Sequence, residues 1–134
     1  MAKKKILRFL ATVIIGIGII CFLMSTALHD AFFYKTLTTE ASPNNINRIE
    51  IKYKDAAFFG PNEVRIIIKQ KNHIFHKVKR YDSKIFNDGG RLESSNSQIK
   101  WENDNYAIII LDGAEQKPEI IEVRFESEIL ITFQ

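Results

Sequence analysis

The sequence predicts an all-β extracytoplasmic domain preceded by one N-terminal transmembrane helix. Three observations support this fold class. Residues 9–28 contain no charged side chain. From residue 46 onward, polar and apolar residues alternate with a period of two, which is typical of strands that bury one face. Clusters of Asn, Asp, Gly and Pro divide this part into six to seven short antiparallel strands, arranged as a meander that is sandwich-like or a curled sheet.

The apolar N-terminal segment is long enough to cross a bilayer. Twenty helical residues at about 1.5 Å each cover about 30 Å, the thickness of the hydrocarbon core. Eleven of residues 9–28 are Phe, Leu, Ile or Val, which together favour insertion by roughly 3–7 kcal/mol. Residues 1–8 contain three lysines and Arg8, and such cationic flanks stay in the cytoplasm. We therefore expect a single-pass signal anchor in the cell membrane, with the C-terminal domain outside.

Cleavage of this segment is the alternative. Ser25-Thr26-Ala27 resembles a signal-peptidase site, and cleavage after Ala27 would release a secreted β protein. The apolar core of residues 9–24 is longer than the roughly 7–15 residues of a signal peptide, which favours a retained anchor. The single cysteine, Cys21, lies inside the segment. The outer domain therefore has no disulfide and depends on its hydrophobic core.

The charge distribution argues against nucleic acid as a partner. The chain has a formal net charge of +3, but residues 1–28 hold four of the 19 basic residues and none of the 16 acidic ones. The remainder carries 15 minus 16, or −1. The basic character belongs to the predicted membrane flank. The expected partner is therefore the lipid bilayer and not a nucleic acid.

Residues 29–45 are predicted to be an interfacial segment and linker, because their Thr/Ser cluster shows no periodicity and ends in Pro43-Asn44-Asn45. The β domain is predicted to span residues 46–134. Its first strand is residues 48–53, where polar and apolar residues alternate.

The remaining strands follow from the same alternation. Strands near residues 64–69 and 74–81 are predicted to form a hairpin, and Asn87-Asp88-Gly89-Gly90 is a strong turn signal. Residues 107–111 are apolar on both faces, which predicts a central strand. The other predicted elements are a loop at 93–98, a hairpin of 99–102 with 106–111, a turn at 114–118, and strands at 121–125 and 129–133.

Four short motifs occur in this order: Phe59-Gly60-Pro61, Asn87-Asp88-Gly89, Trp101-Glu102-Asn103-Asp104 and Gly113-Ala114-Glu115-Gln116. They lie within residues 58–125, about half of the chain. They resemble an uncharacterised family of small membrane-anchored proteins from low-GC Gram-positive bacteria, in which a membrane segment precedes a compact β domain. The resemblance implies a Gram-positive host and a domain that faces the cell wall. It implies no activity, cofactor or functional residue.

No motif predicts catalysis, a cofactor or a metal site, so we do not expect an enzyme. His73 and His76 have an odd spacing, which on a strand directs the two rings to opposite faces, whereas one zinc ion needs both on one face. Four carboxylates near two turns leave open a hydrolase or a Ca²⁺ site, although they lack calcium-loop spacing. They are Glu102, Asp104, Asp112 and Glu115.

The strongest binding signal is a basic segment. Between Arg65 and Lys84 there are seven basic residues and one acidic residue, Asp82. These basic residues suit anionic lipid headgroups, a cell-wall polymer or another membrane protein. The alternative is that they pair across a sheet with the acidic strands of residues 112–128. The predicted contact residues, including an apolar loop pair, are Lys69, Lys71, Lys77, Lys79, Arg80, Phe58 and Phe59.

The sequence therefore predicts a membrane-anchored module that acts by binding outside the cell. The alternative function is a structural or immunity-type accessory protein that acts through its membrane helix.

Overall fold

The computed structural model describes most of the chain, namely residues 2–56, 60–71 and 76–134. The chain forms two compact units, Met1–Tyr34 and Lys35–Gln134.

The first unit contains one helix, α1 (Ala2–Phe33). Its described side chains are those of residues 11–25 and Phe33. Every large apolar side chain described between Val13 and Met24 is exposed, from 40% at Val13 to 69% at Phe22. Within the residues that the structure describes, no helix is long and apolar enough to cross a membrane.

The second unit consists of two four-stranded antiparallel sheets, which confirms the prediction of a mostly β fold. Strands follow one another in chain order within each sheet, so each sheet is a meander. The described residues form eight strands where six to seven were expected, and a short 3₁₀ turn, Ser94–Asn96, precedes the second sheet. Sheet A contains β1 (Lys35–Ala41), β2 (Asn47–Lys54), β3 (Asn62–Lys71) and β4 (His76–Ile85). Sheet B contains β5 (Ser97–Asn103), β6 (Tyr106–Leu111), β7 (Glu119–Phe125) and β8 (Ile129–Phe133).

The additional strand is β1, which lies within the segment predicted to be a linker. It pairs with β2 along its length, with a register shift between Thr36 and Thr38. The prediction of a linker across residues 29–45 is therefore wrong for residues 35–41. A bulge disrupts the period of two, and β1 has one large apolar residue, Leu37, so the sequence pattern carried no strand signal.

The hydrophobic core lies between the inward faces of the two sheets. Alternate residues of β2 and β3 point into it, as do alternate residues of β6 and β7, which confirms the predicted periodicity. Each fully buried Ile or Val side chain contributes about 1.5–3 kcal/mol of transfer free energy. The fully buried large apolar residues are Ile49, Ile51, Val64, Ile66, Ile68, Ile85, Ile109, Leu111, Ile121 and Val123.

The 112–116 loop packs closely against the end of β4, and Gly113 makes this contact possible. A Cβ atom placed on Gly113 would lie 2.3 Å from the Phe86 carbonyl oxygen and 2.8 Å from the Ile85 side chain. The same carbonyl oxygen accepts a hydrogen bond from the Glu115 N–H. The Phe86 N–H in turn donates to the Gln116 side chain. No side chain fits at Gly113 without displacing backbone.

We expect Gly113→Ala to lower the free energy of unfolding by about 1–3 kcal/mol, because the added methyl group forces a backbone shift in a closely packed region. Urea unfolding monitored through Trp101 fluorescence measures the change. Asp112→Ala is the matched control, since Asp112 is an exposed neighbour in the same loop. Equal stability of the Gly113→Ala variant and the wild type would contradict the packing argument.

Candidate functional site

A groove of about 520 Å³ lies on the outer face of sheet A, at the end where β1 finishes and β2 begins. We call it the basic groove. Four of its seven lining residues carry basic side chains and two are apolar. The lining residues are Asn45, Ile46, Arg48, Lys69, Lys71, His76 and Val78.

Strand register brings the basic residues of the groove together. Arg48 lies directly opposite Lys69, and Lys69 lies opposite Val78. Lys71, two residues further along β3, points to the same face and lies opposite His76. Directly opposite residues have Cβ atoms roughly 4.5–5.5 Å apart, so these side chains surround one small area.

One carboxylate partly neutralises this area. Glu50 contacts both Lys69 and Lys52, with N–O distances of 3.3 Å in each case. Its side chain is only 17% exposed, so it is a fixed neighbour of the groove. Among the described residues, Arg48 and Lys71 form no ion pair. The groove therefore keeps a local excess of positive charge although the β unit as a whole is close to neutral.

A polar contact between the two sheets positions the turn that forms one wall of the groove. The Asp104 carboxylate accepts a hydrogen bond of 2.9 Å from the Asn44 N–H. The buried Asn47 side chain donates to the Asp104 carbonyl oxygen at 2.7 Å. Both contacts hold the turn that carries Asn45 and Ile46 against the β5–β6 turn. Asn45 takes a positive φ of 57°, which Asn tolerates better than most residues.

The structure divides the predicted contact residues into two groups. Lys69, Lys71 and Arg80 belong to the outward-facing positions of sheet A, and the first two line the groove. Lys77 and Lys79 lie at the alternate, inward-facing positions of β4 and donate to backbone carbonyl oxygens just before and at the start of β8. The Lys77 ammonium donates to the Ser127 carbonyl oxygen, and the Lys79 ammonium donates to that of Ile129 at 2.9 Å.

The contacts of Lys77 and Lys79 belong to a seam where the edge of sheet A meets sheet B. Tyr81 and Ser83 on β4 donate hydrogen bonds to the Glu119 carboxylate on β7. Burial of the Tyr81 hydroxyl, together with the nearby Glu119 carboxylate, raises the pKa of Tyr81. The Tyr81 and Phe133 rings also pack at 4.9 Å between centroids. The basic and acidic segments do meet, and their contacts among the described residues are hydrogen bonds to carbonyl oxygens and from hydroxyl groups, where ion pairs across one sheet were the expected alternative.

Three other residues singled out in the sequence, Phe58, Phe59 and His73, lie outside the described residues. The four turn carboxylates occupy two places, since Glu102 and Asp104 lie before β6 whereas Asp112 and Glu115 lie after it.

The described carboxylates and His76 do not assemble into a metal site. Glu102 pairs with Lys100 at 2.7 Å, and Asp104 is engaged by Asn44. His76 lines the basic groove. In the described part of the chain, no group of three or more His, Cys, Asp or Glu side chains could hold a metal ion.

Sequence reasoning missed Arg48, Asn45 and Ile46 as groove residues. They lie about 20 positions before the basic segment and reach it only through the pairing of β2 with β3. The sequence did contain one signal. Arg48 and Lys69 both occupy polar positions in the period-two pattern of their strands, so both were expected to point away from the core.

We expect Glu50→Gln to strengthen the binding of a polyanion such as heparin by about two- to fivefold, because removal of the carboxylate raises the potential in the groove. Retention on a heparin column as a function of salt measures the effect. Glu63→Gln is the matched control, since it makes the same charge change at the other end of the same face. Equal retention of the two variants would mean that the groove does not determine anion binding.

Comparison of the chain with protein-family models, with curated proteins and with solved structures finds no match.

Proposed function

We propose that the chain is a single-pass cell-membrane protein whose β unit is an extracytoplasmic binding module for anionic ligands. The basic groove is the observation that carries the binding function. The uncharged stretch of residues 9–28 supports the anchor.

The character of α1 supports membrane attachment. Its large apolar side chains between Val13 and Met24 are exposed at positions that cover every side of the helix. A helix that is apolar on all sides is stable where its surroundings are also apolar. The cationic flank of residues 1–8 favours a cytoplasmic N-terminus.

The anchor is tested by fractionation of cells that express the full-length chain. Alkaline carbonate should leave it in the membrane pellet, and external protease should degrade the β unit. Ile15→Lys combined with Ile19→Lys should release the protein, because each mid-helix lysine costs about 2.5–3.5 kcal/mol. Carbonate release of the wild-type chain, or protection of its C-terminus from external protease, would contradict the proposal. A mature N-terminus at Leu28 would instead indicate cleavage after Ala27.

Electrostatics supports an anionic ligand. Arg48, Lys69 and Lys71 are basic side chains that share one groove. Exposed charges that converge on a concave surface raise the local concentration of an oppositely charged ligand, and salt weakens this effect. Anionic lipid headgroups and an anionic wall polymer both have the required charge.

Binding is tested with a soluble glycerol-phosphate polymer and the full-length chain in non-ionic detergent. We expect Arg48→Gln combined with Lys71→Gln to weaken binding about tenfold at low salt, since two charges next to the ligand are lost. Fluorescence anisotropy of the labelled polymer at several salt concentrations provides the measurement.

The matched control is Lys84→Gln combined with Arg80→Gln, which removes two charges from the same face outside the groove. This control should weaken binding by less than about threefold, because Lys84 and Arg80 do not line the groove and would make no direct contact with the ligand. Binding that does not depend on salt, or equal loss in both double variants, would contradict a ligand site in the groove.

A further inference from the structure

The groove combines a guanidinium group, two ammonium groups and two apolar walls. We infer that it is a discrete site for a phosphate ester. Arg48 binds the phosphate, Lys69 and Lys71 flank it, and Ile46 and Val78 contact the carbon atoms of the esterified alcohol. This inference rests on the proposed function and adds the chemical class of the ligand.

Arg48 is the residue suited to orient a phosphate. Its planar guanidinium can donate two parallel N–H groups to two phosphate oxygens, which a lysine cannot do. Its neighbours across the strands are Ala41 on one side and Lys69 on the other. The short side chain of Ala41 leaves the space beside the guanidinium open. Arg48 also forms no ion pair among the described residues, so its N–H groups are available to a ligand.

The two lysines provide charge on the opposite wall. Lys69 is held by Glu50 at 3.3 Å, which fixes its ammonium at the edge of the groove. Lys71 lies two positions further along β3, and His76 opposite it offers a further ring nitrogen. Together these groups match a phosphate, whose oxygens accept hydrogen bonds in several directions.

The apolar walls distinguish an ester from a free anion. Ile46 and Val78 line the groove and are 47% and 50% exposed, so about half of each side chain faces water. Inorganic phosphate would leave these surfaces uncovered. The carbon atoms of an esterified polyol, sugar or glycerolipid headgroup would cover them and gain the apolar contact.

Two sources supply such an ester, a lipid headgroup and a water-soluble phosphodiester. The β unit begins at Lys35, the first residue of β1, and the groove lies beside Ala41 at the other end of that strand. The strand between them is roughly 20 Å long. The groove therefore lies at the far end of β1 from the start of the β unit.

The test uses the full-length chain in non-ionic detergent, with glycerol 3-phosphate and inorganic phosphate as probes and isothermal titration calorimetry as the readout. Glycerol 3-phosphate should bind saturably and more tightly than inorganic phosphate. Arg48→Lys should weaken glycerol 3-phosphate binding at least about fivefold, since charge is kept but the paired donors are lost. The same variant should keep the salt dependence of glycerol-phosphate polymer binding, because long-range attraction depends on charge and the charge is retained.

Ile46→Ser combined with Val78→Ser tests the apolar walls. This variant should weaken glycerol 3-phosphate binding about threefold and leave inorganic phosphate binding unchanged, because it removes only apolar contact. Phosphatidylglycerol added to the micelles identifies the source. Competition with glycerol 3-phosphate would indicate a lipid headgroup, and its absence a water-soluble phosphodiester.

Different results would refute the phosphate-ester site and the proposed anion-binding function. If Arg48→Lys binds glycerol 3-phosphate as well as wild type does, the discrete phosphate site is refuted while salt-dependent polymer binding still supports the proposed function. If the wild-type chain binds neither probe nor polymer, the proposed function itself is refuted.

Discussion

The fold and the groove both depend on the isoleucine-rich core between the two sheets. Burial of Ile49 and Ile68 determines which side of β2 and β3 faces inward, because successive side chains of a strand point to opposite faces. A slip of one residue would expose the whole apolar set, so the register is strongly fixed. Arg48 and Lys69, each adjacent to one of these core residues, must then face outward and opposite each other. The positive groove is thus a direct consequence of how the core packs.

The same alternation places the basic residues of β4 on two different faces of the strand, where they make different contacts. Arg80 has the outward parity, whereas Lys77 and Lys79 have the inward parity of a strand at the edge of its sheet. Because the inward side of this edge strand faces sheet B, the two lysines donate to the carbonyl oxygens of Ser127, just before β8, and Ile129, its first residue. Charged side chains on an edge strand also disfavour pairing with another chain. Lys77 and Lys79 therefore stabilise the junction between the sheets, and a ligand would meet mainly the outward set.

Much of the fold could be predicted from the sequence because the core obeys a period of two. The hairpin of β3 with β4 and the turn at Asp88 and Gly89, both with positive φ, follow from local patterns. β1 could not be predicted, since Leu37 is its single large apolar residue and a bulge shifts its register. For the site, composition indicated the basic segment, but only strand pairing brings Arg48 to it. Long-range register is the information that a linear pattern does not carry.

Under the proposed membrane attachment, a shallow groove is sufficient to retain a ligand. A single phosphate contact on an open surface gives modest affinity, because exposed charges are hydrated and screened by salt. Attachment to a membrane raises the effective concentration of neighbouring ligand, and a polymer with many phosphates rebinds before it can diffuse away. Glu50 limits the attraction by sharing its charge between Lys52 and Lys69. A membrane-anchored module whose groove has a reduced positive charge would therefore hold a repeating anionic ligand reversibly. Many weak contacts would retain the polymer, where one tight site is not needed.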